Sequence, residues 1–380
     1  MPTFYQTDLF KALVASGDVD LQVVFAKDLS QERIDLGWRK DLQGYSHRFL
    51  DNDYPVLDAA RLAWSQRHRV HVVNGLWAEP AFAAALVVFA LTGSAYAIYS
   101  EAPERIKFQS KARRSPFKSL LQTVFSKIVI PRVAGALAIS RFSAQFFKDL
   151  GVSECSIYPF GYFRSKPSLV PDAMASRGQE RTIEVAFVGR LVALKRLDLL
   201  IDAMSPLFEM YPTLSLILIG GGELQDSLRQ QVQALGLAAR VSFEGAMSPD
   251  GIPARLVHTD VLVLPSKGEG WGLVVNEALS VGVPVILSDR CGAAELIRNG
   301  ANGYVFKSED VQDLRDRLGT FLSRKAEWHD FRAESRATGE TISTDVVAPY
   351  LIECLRHMTG FSSKRPTPPW NRSSTTATPN

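Results

Sequence analysis

Cysteine is scarce in this chain. Three cysteines occur among 380 residues, Cys155, Cys291 and Cys354. They stand far apart, with no CxxC pair and no metal-ligand spacing. That excludes a disulfide scaffold and a zinc ribbon, and it leaves buried thiols in a reducing cytoplasm as the expectation. A large excess of charge is also missing. The formal net charge is +3, too small to argue for nucleic acid. No long apolar run occurs either. The longest, Ala81 to Leu91, falls short of the ~20 residues a spanning helix takes and reads as a buried helix between two strands. The N-terminus lacks the pattern of a secretory signal. Apolar residues are nearly absent from Ser362 to Asn380, where Ser, Thr and Pro dominate. Residues 359–380 are therefore expected to form a disordered tail.

What is present fits a globular protein with real cores: 46% hydrophobic and 22% charged residues, over a length suited to two domains. The second half alternates strand and helix. Ile183–Val188, Leu214–Ile219, Val241–Phe243, Val261–Leu264 and Val283–Leu287 read as strands, with helices at 197–210 and 223–235. Near-continuous apolar strands joined by helices imply a parallel sheet covered on both faces. The first half repeats the pattern more weakly. Helices are expected at 4–15 and 56–66, and strands at Leu21–Phe25, Val70–Val73, Ala95–Tyr99 and Gly135–Ile139. The reading is α/β, with two Rossmann-like domains at 1–163 and 183–340 and a linker at 164–182. A domain of this kind opens with a strand and a glycine turn. Here the chain runs from Met1 straight into a helix, so the first strand is expected to be missing or the start misassigned.

Two groups of residues carry chemistry. Gly189 and Arg190 follow the strand 183–188, and Lys195 comes five residues later. Arg offers a planar fork for phosphate oxygens and Lys a mobile point charge. Two fixed cations can offset charge on a departing diphosphate without a metal ion; a solvated pair at a helix start is the plainer alternative. Downstream, Glu269 lies in a loop broken by Gly268, Gly270 and Gly272, and Glu277 lies in the helix that follows. Carboxylates accept from sugar hydroxyls, and free amides at a helix start favour phosphate. Trp271 either lies against a sugar or plugs the cleft, Asn276 reads as structural, and the triplet Gly220 to Gly222 is a nucleotide-site wall or a plain turn.

Taken in order, Gly189-Arg190-Leu191, Lys195, Gly220 to Glu223 and Glu269-x7-Glu277, followed by Ala278-Leu-Ser-Val-Gly-Val-Pro-Val-Ile, resemble the retaining GT-B glycosyltransferases. This is the large group 1 family (glycosyltransferase family 4) with the E-x7-E motif, which includes sucrose synthases and many bacterial hexosyltransferases. The resemblance implies a nucleotide-diphosphate sugar as donor and no metal or other cofactor. It implies that Arg190 and Lys195 bind the diphosphate and that Glu269 bonds the donor sugar. Gly189, Gly222 and the amides of Gly270, Trp271, Gly272 and Leu273 would line the donor site, and Glu277 would bond the ribose. It further implies an acceptor on the N-terminal domain and a last helix, 341–358, crossing back onto that domain.

The segment at the end of strand 95–99 departs from the family, which often places a His there. Ser100 or Glu101 would stand beside the sugar, or the segment is a polar turn. From Arg105 to Arg132 there are eight Lys or Arg and no acid, with apolar residues at helical spacing from Phe117 to Val129. Such a segment suits an anionic membrane surface, or it is a core-packed helix with a basic flank. The expectations are a cytoplasmic glycosyltransferase, with a peripheral position on the inner membrane face kept open. Its partners would be a nucleotide sugar and a glycan or lipid-linked acceptor, not nucleic acid. A nucleotide-sugar epimerase and a catalytically inactive binding subunit are the alternatives.

Overall fold

The computed structural model of the protein describes residues 2–31, 34, 40–76, 79–102, 123, 125–167 and 182–371. These divide into two compact units. One is built on residues 1–30 and 40–162 with the chain from 347 onward, the other on 163–346.

The first unit opens with helix α1 (Phe4–Ala15), β1 (Gln22–Phe25) and β2 (Ser46–Phe49). Then come α2 (Pro55–Ser65), β3 (His71–Asn74), α3 (Pro80–Thr92), β4 (Tyr96–Ser100), β5 (Gly135–Ile139), α4 (Ser140–Asp149) and β6 (Ile157–Phe160). As expected, a helix rather than a strand is the first element described. The strands form two parallel sheets, β1-β2 and β3-β4-β5-β6. β4 and β5 are apolar almost throughout and buried, as central parallel strands must be. The apolar run 81–91 lies in helix α3, whose Leu86 and Phe89 enter the core with Tyr96, Ile98 and Phe147, while Leu91 at its end is exposed.

The second unit runs β7 (Ile183–Val188), α5 (Leu197–Met210), β8 (Leu214–Ile219), α6 (Gln225–Ala234), β9 (Val241–Gly245) and α7 (Ile252–Leu256). It continues through β10 (Val261–Leu264), α8 (Leu273–Ser280), β11 (Val285–Ser288), β12 (Gly303–Phe306), α9 (Val311–Ser323) and α10 (Trp328–Thr341). The sheet is wholly parallel, in the order β12-β11-β10-β7-β8-β9. Helix α5 packs on α9, and α8 packs on α10. Asp310 caps α9 by accepting the amide of Asp313 at 3.1 Å. The order reverses between β7 and β10. In a doubly wound sheet, ligands bind at the carboxyl ends of the strands beside such a reversal.

The last helix, α11 (Thr344–Met358), carries the chain back to the first unit. There Tyr350 donates to the Pro159 carbonyl at 3.0 Å, and Tyr158 pairs with His357 Nδ1 at 2.5 Å. Beyond it the chain differs from the expected disordered tail as far as residue 371. Arg365 donates to the Ile157 carbonyl at 2.6 Å, and a half-buried Trp370 stands edge-on to Tyr350 at 5.6 Å. A few long side chains fix this stretch, and a composition dominated by Pro and Ser conceals them. Residues 372–380 lie outside the described residues.

Most of the basic stretch 105–132 also lies outside them. Its described end is a π-helical turn, Phe125–Val129, with both named residues buried in the core and Lys127 exposed. That part of the apolar face is packed against protein. The expected linker begins as Arg164 to Lys166, running beside Ser343 in the second unit, and residues 168–181 lie outside the described set.

Candidate active site

Both groups of residues singled out above fall at the reversal point. β7 ends at Val188, and the chain leaves through Gly189, whose φ of +151° suits glycine. Arg190 follows, exposed, and among the described residues its side chain has no partner. A 3-10 turn, Ala193–Lys195, then tucks Lys195 inward, leaving its side chain 15% exposed. The loop after β10 crosses to meet this turn, where Lys267 donates its amide to the Leu194 carbonyl at 2.9 Å. The crossing brings Lys195 Nζ into a hydrogen-bonded ion pair with Glu269 Oε2.

The glycine triplet after β8 serves the backbone first. A Cβ on Gly220 would overlap the Gly189 carbonyl oxygen, and one on Gly222 would lie 2.5 Å from the Leu191 carbonyl oxygen. Gly222 thus lets two strand-end loops cross closely, the plain-turn alternative of its sequence reading.

Glu269 is held at its backbone from the far side. Its amide donates to the Arg290 carbonyl at 3.1 Å, and its own carbonyl accepts from Gly292 at 3.0 Å. Gly272, with φ +97°, then turns the chain into α8. A Cβ there would press on Cys291 Sγ at 2.9 Å. The amides of Gly270 to Val274 have no acceptor among the described residues, so a row of N–H groups stands free where α8 begins. Gly270, Leu273 and Val274 are half-buried. Trp271 is only 1% exposed; its indole donates to Asn276 Oδ1 at 2.8 Å and stands against Phe163 at 6.0 Å. Its side chain is a plug, the second of its two sequence readings, and does not lie open for a sugar. The Cys291 thiol beneath it donates to the Trp271 carbonyl at 3.1 Å, and burial pushes its pKa far up, so it stays a thiol.

Glu277 lies farther along α8 and faces a partner the sequence did not announce. Its Oε1 accepts from Arg164 Nη1 at 3.2 Å, with side-chain exposures of 8% and 18%. Burial raises its pKa to about 7, while Arg164 pulls it down and Asp250 pushes it up. Arg164 also reaches Asp250 at 3.3 Å and the Pro249 carbonyl at 3.5 Å. The three side chains border a cavity of about 330 Å³ that Lys166, Ser280 and Ser343 help to line. Arg164 sits in the stretch read as linker, with no motif around it to mark it. Ser100 and Glu101 stand in the first unit, at the carboxyl end of β4, where Ser100 Oγ donates to the Glu101 carbonyl at 2.8 Å. Among the described residues no cluster of His, Cys, Asp or Glu is arranged to hold a metal ion.

A cation with open donors, a carboxylate beside a second cation and a row of free amides thus share one strand-end site. Residues 173–338 match the family described as glycosyl transferases group 1. They belong to it. The D-inositol 3-phosphate glycosyltransferase of Rhodococcus opacus is 31% identical over 204 residues, 52% of this chain and 46% of that protein. A GDP-mannose-dependent phosphatidylinositol monomannoside mannosyltransferase of Mycolicibacterium smegmatis is 32% identical over 196 residues, covering 48% and 50% of the two chains. The chain thus spans about half the length of these curated relatives. Among solved structures, Anabaena HepE in complex with UDP superposes with a TM-score of 0.68 at 19% identity, over 92% of this chain and 95% of that one. Sucrose-phosphate synthase of Thermosynechococcus elongatus gives 0.66 at 16% identity, over 94% and 93%. The fold is that of the GT-B glycosyltransferases, two Rossmann-like units, and the expected architecture holds.

Proposed function

We propose that the chain is a retaining glycosyltransferase that moves a sugar from a nucleotide-diphosphate donor to an acceptor hydroxyl. The observation that carries this reading is the Lys195–Glu269 pair beside the free amides of α8. Sugar hydroxyls and a diphosphate are neighbours in such a donor, and here a carboxylate and a cation are neighbours to receive them.

On this reading the bond from the anomeric carbon to the phosphate oxygen breaks and its electron pair passes to the diphosphate. Arg190, Lys195 and the α8 amides offset the charge that builds there. Glu269 holds the sugar by its hydroxyls. The acceptor oxygen bonds to the anomeric carbon on the same face, and its proton goes to the leaving phosphate oxygen. No step calls for a metal ion. Glu277 accepts from the ribose. The relatives that act on inositol phosphate or a phosphatidylinositol glycoside favour a polyol or glycolipid acceptor in envelope polysaccharide or glycolipid assembly. A basic flank at Lys127 and Arg132 suits peripheral contact with an anionic membrane on the cytoplasmic face.

The test is a screen of UDP-, GDP- and ADP-sugars by thermal shift, followed by turnover with inositol phosphate and phosphatidylinositol acceptors. One donor class should raise Tm, because a ligand bound only by the folded state stabilises it. Glu269→Ala and Lys195→Ala should then lower turnover at least ~100-fold. Unchanged turnover in both variants overturns the reading.

A further inference from the structure

We propose that Arg164 is a positioning residue for the donor nucleoside, holding the Glu277 carboxylate in place and tying it to the loop after β9. This rests on the donor reading above, in which Glu277 meets the ribose. Arg164 comes from outside the two motif groups and is remote in sequence from everything it touches. Its Nη1 donates to one oxygen of Glu277, Oε1, at 3.2 Å. Oε2 has no partner among the described residues and stays available to accept from a hydroxyl. Arg164 also reaches Pro249 O and Asp250 Oδ1, so a single guanidinium spans α8 and the 249–250 turn. That turn continues the loop leaving β9, a strand end on the same edge of the sheet as Gly220.

Arg164 is itself well placed to be rigid. Its carbonyl accepts from Thr344 at 3.1 Å, and the next residue back, Phe163, is pinned against the buried Trp271. A fork whose root is fixed on both sides orients a carboxylate with little entropy left to lose. The charge pattern agrees. The groups facing Glu277 are Arg164 from the chain before β7 and Asp250 from the 249–250 turn, with Lys166 on the cavity wall; α10 presents only Gly339 there. Arg164 lowers the pKa of a carboxyl that burial holds at about 7, so its loss sends Glu277 toward the neutral acid at pH 7. A neutral acid accepts from a ribose hydroxyl less well than a carboxylate.

The experiment measures binding of UDP, GDP and ADP to the full chain by calorimetry between pH 6 and 9, then uses the nucleotide that binds. Arg164→Gln should weaken its Kd at pH 7 by tenfold or more and recover much of that loss at pH 8.5. Arg164→Lys should stay within about threefold of wild type, since a cation remains. With donor titrated to saturation, the Gln variant should show a raised donor KM and a kcat within threefold of wild type. In a Glu277→Gln background, adding Arg164→Gln should change Kd less than twofold, because the group it positions is gone. That cycle also reads the coupling should the single Gln variant prove unstable. An unchanged Kd and pH profile in Arg164→Gln, with nucleotide still bound by wild type, overturns the positioning role alone. If wild type binds none of the three nucleotides, the donor reading falls and this role falls with it.

Discussion

Lys195 and Glu269, 74 residues apart in sequence, meet in an ion pair where the loops after β7 and β10 cross. Each charge offsets the other in this pair, yet each would face a different part of a donor. Exchanging them by Lys195→Glu with Glu269→Lys keeps the attraction and inverts its direction. The double variant should melt within a few degrees of wild type, while each single variant should lose about 1–3 kcal/mol. Its turnover should nonetheless fall at least ~100-fold, since sugar and phosphate would meet the wrong charges. Calorimetry and a turnover assay on the same three proteins separate the two effects.

Among the described residues Arg190 has no partner to lose on truncation. Arg190→Ala should therefore leave stability within about 0.5 kcal/mol of wild type, as surface changes do. Turnover should drop by about 100-fold or more if the guanidinium stabilises the leaving diphosphate. A drop in Tm matching the drop in activity would point instead to a structural role.

Neighbouring glycines should respond in opposite ways. A Cβ at Gly220, where φ is +139°, would overlap the Gly189 carbonyl, whereas one at Gly221 meets nothing within 4 Å. Gly220→Ala should cost upwards of ~3 kcal/mol in urea denaturation. Gly221→Ala should be neutral, or stabilise by up to about 1 kcal/mol through the unfolded state.

The Glu277 carboxyl gives the fold a pH dependence of definite sign. Its pKa stands at about 7 in the folded chain against an ordinary value of 4.5. The folded state holds that proton more tightly, so the contribution is complete below about pH 4.5 and is lost as pH rises through about 7. Glu277→Gln removes the titration. Relative to wild type, the variant should gain stability between pH 5 and pH 8, on the order of 3 kcal/mol at most. Denaturation at the two pH values checks it; a constant difference would mean the carboxyl titrates normally.

The sequence disclosed the strands that lie inside their sheets and, of those at the rims, β1, β3 and β9 but not the rest. β7, β8 and β10 were readable to the residue, because parallel strands covered on both faces are written as apolar runs. β2, β6 and β12 were not read, and each ends its sheet. β2 is Ser-His-Arg-Phe, exposed at its start, and β6 carries Pro159, which an outer strand tolerates. The site divides similarly. Arg190, Lys195, Glu269 and Glu277 announce themselves by spacing within short segments. Arg164 acts through a fold-level return of the chain beside Ser343, which no local pattern encodes. Trp271 is ambiguous in sequence because an aromatic between glycines suits a ligand platform and a buried plug equally. Its indole hydrogen bond to Asn276 decides for the plug.

The return of α11 to the first unit also has a consequence for how the protein is made. The first unit is assembled from both ends of the chain: Tyr158 and the Pro159 carbonyl hydrogen-bond to His357 and Tyr350. On the ribosome the second unit, which ends at residue 346, has its whole sequence available before those partners emerge. The half synthesised first is thus the half completed last, and it waits with one flank of β6 uncovered until the last helix clears the exit tunnel.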